Sequence, residues 1–250
     1  MKILLLGGTG EAKKLATSLH NKGHQVIYSI AGLVRYPRLP CEVISGGFSR
    51  HCNSPETTDR NKGAEGLKNW LRLNEITLVI DATHPYAARI STHAVIACQQ
   101  TNTPCWRFQR APWSSSPDLP FQEIDDWSTL RETLGHYHRP VFTIGQMPLR
   151  HLDIPKHQIW LVRGAIYNEV EHPRLNQIEA IGPFSLAHEE QMLRLHHADL
   201  LVGKNSGGRA MATKLLAATH LQVPVILLKR PTLVAADREF SSLDELTSQL

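Results

Sequence analysis

No stretch of the 250-residue chain approaches the roughly 18 uninterrupted apolar residues that a membrane span requires, so a membrane partner is not expected. Cysteine is scarce. Cys41, Cys52, Cys98 and Cys105 form no C-x-x-C pair, and a chain this long needs no disulfide staples. Free thiols in a reducing, cytoplasmic setting follow. There is no H-E-x-x-H and no cysteine-histidine ligand cluster, so the fourteen histidines do not announce a metal. His136, His138, His196 and His197 read as solvated positions. Basic runs are missing too. Lys and Arg number 27 against 23 Asp and Glu, and they are dispersed. That balance suits an anionic small molecule, whereas a nucleic-acid groove needs a concentrated basic patch; no nucleic-acid partner is expected. The G-x-x-x-x-G-K-[ST] phosphate loop is absent. So is the Tyr-x-x-x-Lys pair of short-chain dehydrogenases: none of Tyr28, Tyr36, Tyr86, Tyr137 or Tyr167 has a lysine four residues on.

What is present alternates between strand-like and helix-like segments. Lys2 to Leu6 is a short apolar run that stops at Gly7-Gly8 and meets Glu11 soon after, which reads as a buried strand and not as a secretion signal. Ala12, Leu15, Ala16 and Leu19 then recur at helical spacing, and Gln25 to Ile30 forms a second strand. This strand-turn-helix-strand unit opens a doubly wound fold. Further helices are expected near 66–73, 87–100, 126–134, 185–196, 209–219 and from Leu243. Strands are expected near 78–80, 105–108, 141–144, 158–163, 178–181, 200–202 and 225–228. Ala111 to Pro120 holds three prolines and three serines, a linker composition. The chain therefore divides into an N-terminal dinucleotide-binding α/β domain, 1–112, and a C-terminal Rossmann-like α/β domain, 113–250. Ser49 to Ala64 reads as a polar insertion forming a mobile loop.

Three loops carry candidate chemistry. The turn Gly7-Gly8-Thr9-Gly10-Glu11-Ala12 follows the first strand, where glycines let the backbone approach a pyrophosphate and the helix start offers free N–H groups. Its match to G-x-G-x-x-G is imperfect, and a plain tight turn is the competing reading. At the end of the second strand an NAD site usually places Asp or Glu on the ribose 2′-hydroxyl. Here the chain reads Tyr28-Ser29-Ile30-Ala31-Gly32, followed by Arg35 and Arg38. A hydroxyl with arginines suits a 2′-phosphate, so NADPH is favoured and NADH stays open. The cofactor set is Gly8, Thr9, Gly10, Glu11, Ser29, Ala31, Gly32, Arg35 and Thr83. Thr83 lies in Asp81-Ala82-Thr83-His84-Pro85-Tyr86-Ala87-Ala88-Arg89, at the carboxyl end of a strand, where Thr83 also reads as a cap for the next helix. The third loop, Gly203-Lys204-Asn205-Ser206-Gly207-Gly208, suits an anion or carbonyl group.

Taken in order, several segments resemble one family. They are the opening glycine turn, Ser29-Ile30-Ala31-Gly32, Pro37-Arg38-Leu39-Pro40, Gly46-Gly47-Phe48, Asp81 to Ala87, Thr143-Ile144-Gly145, Gly182-Pro183-Phe184 and Lys204-Asn205-Ser206-Gly207. The chain is similar to precorrin-6A reductases and their cobalt-precorrin-6A counterparts in cobalamin biosynthesis, from residue 1 to about 231. It departs where Ser49 to Ala64 intervene after Gly-Gly-Phe. The resemblance implies two Rossmann-like parallel-sheet halves with a cofactor cleft between them. It also implies hydride transfer from NADPH or NADH to one double bond of a tetrapyrrole macrocycle, with or without cobalt. Such a substrate carries many carboxylates, and Arg107, Arg110, Arg163 and Lys204 are candidates to pair with them, with Asn205 and Ser206 beside Lys204. If a proton must follow the hydride, His84, Lys204 or water supplies it. A non-catalytic NADPH-sensing module is the alternative from a different class.

Overall fold

The structure is a computed structural model that describes residues 1–32 and 36–250. In chain order its elements begin β1 (Lys2–Leu6), α1 (Gly10–Asn21), β2 (Gln25–Ile30), β3 (Glu42–Ser45), α2 (Lys62–Leu73), β4 (Leu78–Asp81), α3 (Ala88–Thr101) and β5 (Cys105–Phe108). There follow β6 (Gln122–Ile124), α4 (Trp127–Leu134), β7 (Pro140–Phe142), β8 (Trp160–Gly164), β9 (Leu175–Glu179), α5 (Leu186–His196), β10 (Leu200–Lys204), α6 (Arg209–His220) and β11 (Val225–Leu228). The chain closes with β12 (Arg238–Phe240) and α7 (Leu243–Ser248). Two compact units result: residues 1–111 with 231–250, and residues 112–230.

The first unit is a six-stranded parallel sheet in the order β12-β5-β4-β1-β2-β3. Its central strand shows why the sequence folds this way. Successive side chains of a strand point to opposite faces, and Ile3, Leu4, Leu5 and Leu6 are all buried. Ile3 and Leu5 pack with Ala12, Leu15, Ala16 and Leu19 of α1, whereas Leu4 and Leu6 pack with Leu67, Trp70 and Leu71 of α2 and Ala94 of α3. A continuous apolar run is what a parallel strand covered on both faces requires.

The second unit is another six-stranded parallel sheet, ordered β6-β11-β10-β7-β8-β9. On one face Val141, Leu201, Val225 and Leu227 meet Met192 and Leu193 of α5 and Met211 and Leu215 of α6. On the other, Trp127 of α4 lies 6.1 Å from both Phe142 and Trp160.

Four expectations are corrected. The second half does not run to 250: residues 231–250 return to the first unit, where β12 pairs with β5 and Phe240 and Leu246 join the first core. Its two charged residues and single buried Phe240 made β12 invisible, because a three-residue edge strand shows no periodicity. Segment 49–64, expected to be a mobile loop, holds regular structure at both ends, with α2 already begun at Lys62. Phe48–His51 forms a 3₁₀ turn whose Phe48 packs edge-on against Trp70 at 5.6 Å, and Asn69 Nδ2 donates to His51 O at 3.0 Å. Thr83 does not cap α3; Ala87 holds that position without a side-chain bond. His196 is buried, its Nε2 3.2 Å from Ile159 O.

The returning segment is held by one buried cation. Arg107 Nε donates to Asp81 Oδ2 at 3.1 Å, and its Nη1 donates to Glu239 Oε1 and Val234 O, both at 2.8 Å. Arg107 and Asp81 are only 3% and 2% exposed, so removing one partner strands the other charge. We predict that Arg107→Met lowers unfolding free energy by about 3–5 kcal/mol in urea titrations. Glu239→Gln, at the half-exposed end of the cluster, should cost under about 1 kcal/mol. A similar small loss for both would show that the pair is not structural.

Candidate functional site

In both sheets the chain reverses direction beside its first central strand. From β1 it proceeds to β2 and β3 on one side, then to β4 and β5 on the other; β7 has β8 and β9 on one side and β10 on the other. Loops leaving β1 and β4 must diverge to opposite faces, as must those leaving β7 and β10, and ligands bind in the crevice this opens. The glycine turn and the Thr83-His84 loop share the first crevice. Thr143-Ile144-Gly145 and Lys204-Asn205-Ser206 share the second, with Thr143 N–H donating to Val202 O at 2.8 Å.

The glycine turn rests on Tyr28. A β-carbon on Gly7 would lie 2.2 Å from the Tyr28 ring, so only glycine fits there. The Tyr28 hydroxyl accepts the Gly8 N–H at 2.9 Å, and burial raises the phenol's pKa, keeping it protonated. Gly8 itself has φ +113°, a conformation L side chains rarely adopt. Space is open where β-carbons on Gly8 and Gly10 would stand, so the backbone presents an unobstructed cradle. Thr9 caps α1: its Oγ1 accepts the Ala12 N–H at 3.0 Å and donates to Ala82 O at 3.1 Å, joining the two loops of the crevice. Its hydroxyl is thereby engaged within the fold. These features fit a dinucleotide pyrophosphate at the helix start.

From the turn a cavity of about 440 Å³ extends along the carboxyl ends of β1 to β4, within the size range of small-molecule sites. Gly8, Ser29, Ala31, Thr83 and His84 all line it, bringing together residues distant in sequence. Gly32 adjoins it through Gly46, whose N would lie 3.6 Å from a β-carbon at Gly32, and Arg35 lies outside the described residues. Asp81 Oδ1 accepts from both the N–H and the hydroxyl of Thr83, at 3.2 and 2.7 Å. Thus the carboxylate that holds Arg107 also orients Thr83. His84 is exposed on the wall, and its Nδ1 accepts the Tyr86 N–H at 3.3 Å. Glu11 pairs with Arg110 at 3.0 Å, which neutralises a carboxylate that would otherwise repel an anion beside it.

Three substrate candidates are corrected by their partners. Arg107 is committed to Asp81 and Glu239, as described. Arg163 is buried against Glu189, with Nη2 3.0 Å from Oε1 and its guanidinium 4.4 Å over Phe184. Asn205 is 1% exposed, accepts the Trp113 N–H at 2.7 Å, and donates to Trp113 O and Glu123. It pins the linker to the second unit. Lys204 ends β10 half-buried, and burial lowers its pKa. His84 belongs to the first unit and Lys204 to the second.

The family model described as precorrin-6x reductase CbiJ/CobK matches residues 2–250. This chain belongs to that family. A precorrin-6A reductase of Rhodococcus erythropolis is 35% identical, covering 94% of this chain and 91% of that protein. One from Rhodobacter capsulatus is 33% identical, over 94% and 90%. A solved CobK precorrin-6A reductase superposes with a TM-score of 0.84 at 31% identity, covering all of this chain and 96% of its own. Among the described residues no helix is long and apolar enough to cross a membrane, and no group of three or more His, Cys, Asp or Glu is placed to hold a metal ion.

Sequence reading of this CbiJ/CobK chain missed Tyr28, Asp81 and His93. Tyr28 reads as a strand residue and Asp81 as the first residue of the Thr83-His84 loop, with no role of its own; only the pairing of β1 with β2 and β4 puts them under the loops. His93 lines the cavity from α3, with Nε2 3.1 Å from Arg60 O, and burial lowers its pKa. His196 is lowered by burial as well. Unfolded imidazoles protonate near 6.5, whereas these folded ones resist protonation until lower pH. Stability from this source is therefore full above about pH 6.5 and falls as pH drops below it. Comparing urea midpoints at pH 7 and 5, a His93→Gln, His196→Gln double variant should show a shallower decline than the parent; an unchanged slope would refute the assignment. We also expect Gly7→Ala to cost about 1–3 kcal/mol, and to displace the turn enough to abolish dinucleotide binding in calorimetry. Wild-type affinity in that variant would count against the Tyr28-backed turn as the site.

Proposed function

We propose that this chain reduces one double bond of the precorrin-6A macrocycle, using a reduced nicotinamide dinucleotide, in the cytoplasm. The observation that carries the reading is the open, Tyr28-backed glycine turn at the β1/β4 crevice, in a chain of a reductase family. Its four cysteines are free, which suits a reducing compartment.

When bound, the dihydronicotinamide supplies a hydride from C4. The chain's own residues hold and orient. Backbone N–H groups at Gly10 and Glu11, at the positive end of α1, would receive the pyrophosphate over the turn that Tyr28 fixes through the Gly8 N–H. Ser29, Ala31 and Gly32 border the adenosine ribose, and Thr83, fixed by Asp81, shapes the crevice. The absence of a carboxylate after β2 favours NADPH over NADH. Lys204 and Ser206, at the carboxyl end of β10 in the second sheet, receive carboxylates of the macrocycle. The product needs one proton besides the hydride. Lys204, whose proton burial loosens, or His84 on the cavity wall, delivers it, and water is the third source.

The test is an anaerobic assay of the purified chain with precorrin-6A and with its cobalt form, offering each nicotinamide in turn. NADPH oxidation dependent on precorrin-6A is expected; nucleotide binding without oxidation would leave a sensor instead. Lys204→Ala should lower kcat by about 10²-fold or more while changing NADPH affinity less than about threefold. Equal losses in turnover and nucleotide binding would sink its assignment to the substrate side.

A further inference from the structure

Segment 49–64 is unexplained by the reaction alone, yet it builds part of the cavity. Ser49, Asp59, Lys62 and Gly63 all line it. Arg50 sits in the 3₁₀ turn Phe48–His51 that anchors the segment through Phe48 and Trp70. Its guanidinium lies against Gly46: a β-carbon there would be 2.8 Å from Arg50 Nη1. Gly46 N–H in turn donates to Ile30 O at 3.0 Å. Arg50 therefore stands over the adjoining carboxyl ends of β2 and β3, beside Ser29 to Gly32.

That position is where a dinucleotide-binding sheet meets the adenosine ribose, and where this chain has no carboxylate. Arg50 Nε donates to His51 Nε2 at 3.0 Å, which orients the guanidinium without engaging its two outer nitrogens. His51 is suited to accept, because burial and the neighbouring Arg50 charge both favour its neutral form. Among the described residues no carboxylate pairs with Arg50. Arg50 adjoins the cavity through Gly46, which lines it; Lys62 lines it directly, but its Nζ is 2.7 Å from Asp59 Oδ1, so that pair contributes little net charge. A planar fork of N–H donors is well matched to a phosphate.

We propose that Arg50, carried by the 49–64 segment, binds the 2′-phosphate of the adenosine ribose and so makes this chain select NADPH. The inference rests on the nicotinamide reading above and adds the residue that decides between the two dinucleotides. It is tested by calorimetry on the full chain without tetrapyrrole, titrating NADPH, NADH and adenosine 2′,5′-bisphosphate into wild type, Arg50→Gln and Arg50→Lys. A charge-assisted phosphate contact corresponds to about 10–100-fold in affinity. Wild type should prefer NADPH by about that factor. Arg50→Gln should bind NADPH no better than NADH, keep its NADH affinity, and lose the bisphosphate, while Arg50→Lys recovers part of the preference. Arg50→Gln retaining the NADPH preference, or losing both dinucleotides equally, would overturn the role of Arg50 while leaving the nicotinamide reading standing. So would equal binding of both by wild type. Binding of neither dinucleotide by wild type would overturn both.

Discussion

Asp81 sits at the last position of β4, and its two oxygens face different tasks. Oδ1 accepts two bonds from Thr83 in the crevice, and Oδ2 accepts from the buried Arg107, which reaches on to Glu239 and the Val234 carbonyl. One carboxylate thus couples the shape of the loop after β4 to the closure of the sheet by a segment more than 120 residues away along the chain. Desolvating this pair is costly, and the bonds made by Arg107 Nε and Nη1 offset it while Nη2 stays buried without one. Thr83 is placed by the same constraint that brings the C-terminal segment home.

Around that constraint the first unit uses a division of labour familiar from physical chemistry. Tyr28 and Thr9 are consumed in holding the turn: one backs Gly7 and accepts from Gly8, the other caps α1 and reaches Ala82. At the turn itself the groups left facing the cavity are the backbone and the open positions of Gly8 and Gly10. A pyrophosphate makes its demands on backbone geometry, so fixing the loop from behind serves it better than adding side chains in front. Glu11 is tolerated at the helix start because Arg110 balances it.

The second unit repeats the architecture without the glycine turn. Lys204 ends β10 half-buried and Ser206 follows it, while Asn205 between them is turned to the linker through Trp113. Adjacent residues of one motif therefore do different jobs, which alternation along an extended backbone makes natural. Arg163 illustrates the opposite hazard. An arginine near a strand end looks available for a carboxylate, yet Glu189 supplies one from inside the fold.

Local pattern by itself determined the two α/β halves, the glycine turn, the central strands and the missing carboxylate after β2. These follow from periodicity, turn chemistry and spacing, and are carried by residues near one another in the chain. Tertiary structure decided what depends on partners brought from afar. It assigned 231–250 to the first sheet, since a three-residue edge strand has no periodicity to read and is recognised only by its pairing with β5. It withdrew Arg107, Arg163 and Asn205 from the ligand set, because a charge's availability depends on whether another side chain has already answered it. It also turned the polar stretch after Phe48 into a wall of the cavity. Hydrophobic pattern is written along the chain, but the pairing of polar groups is written only in space.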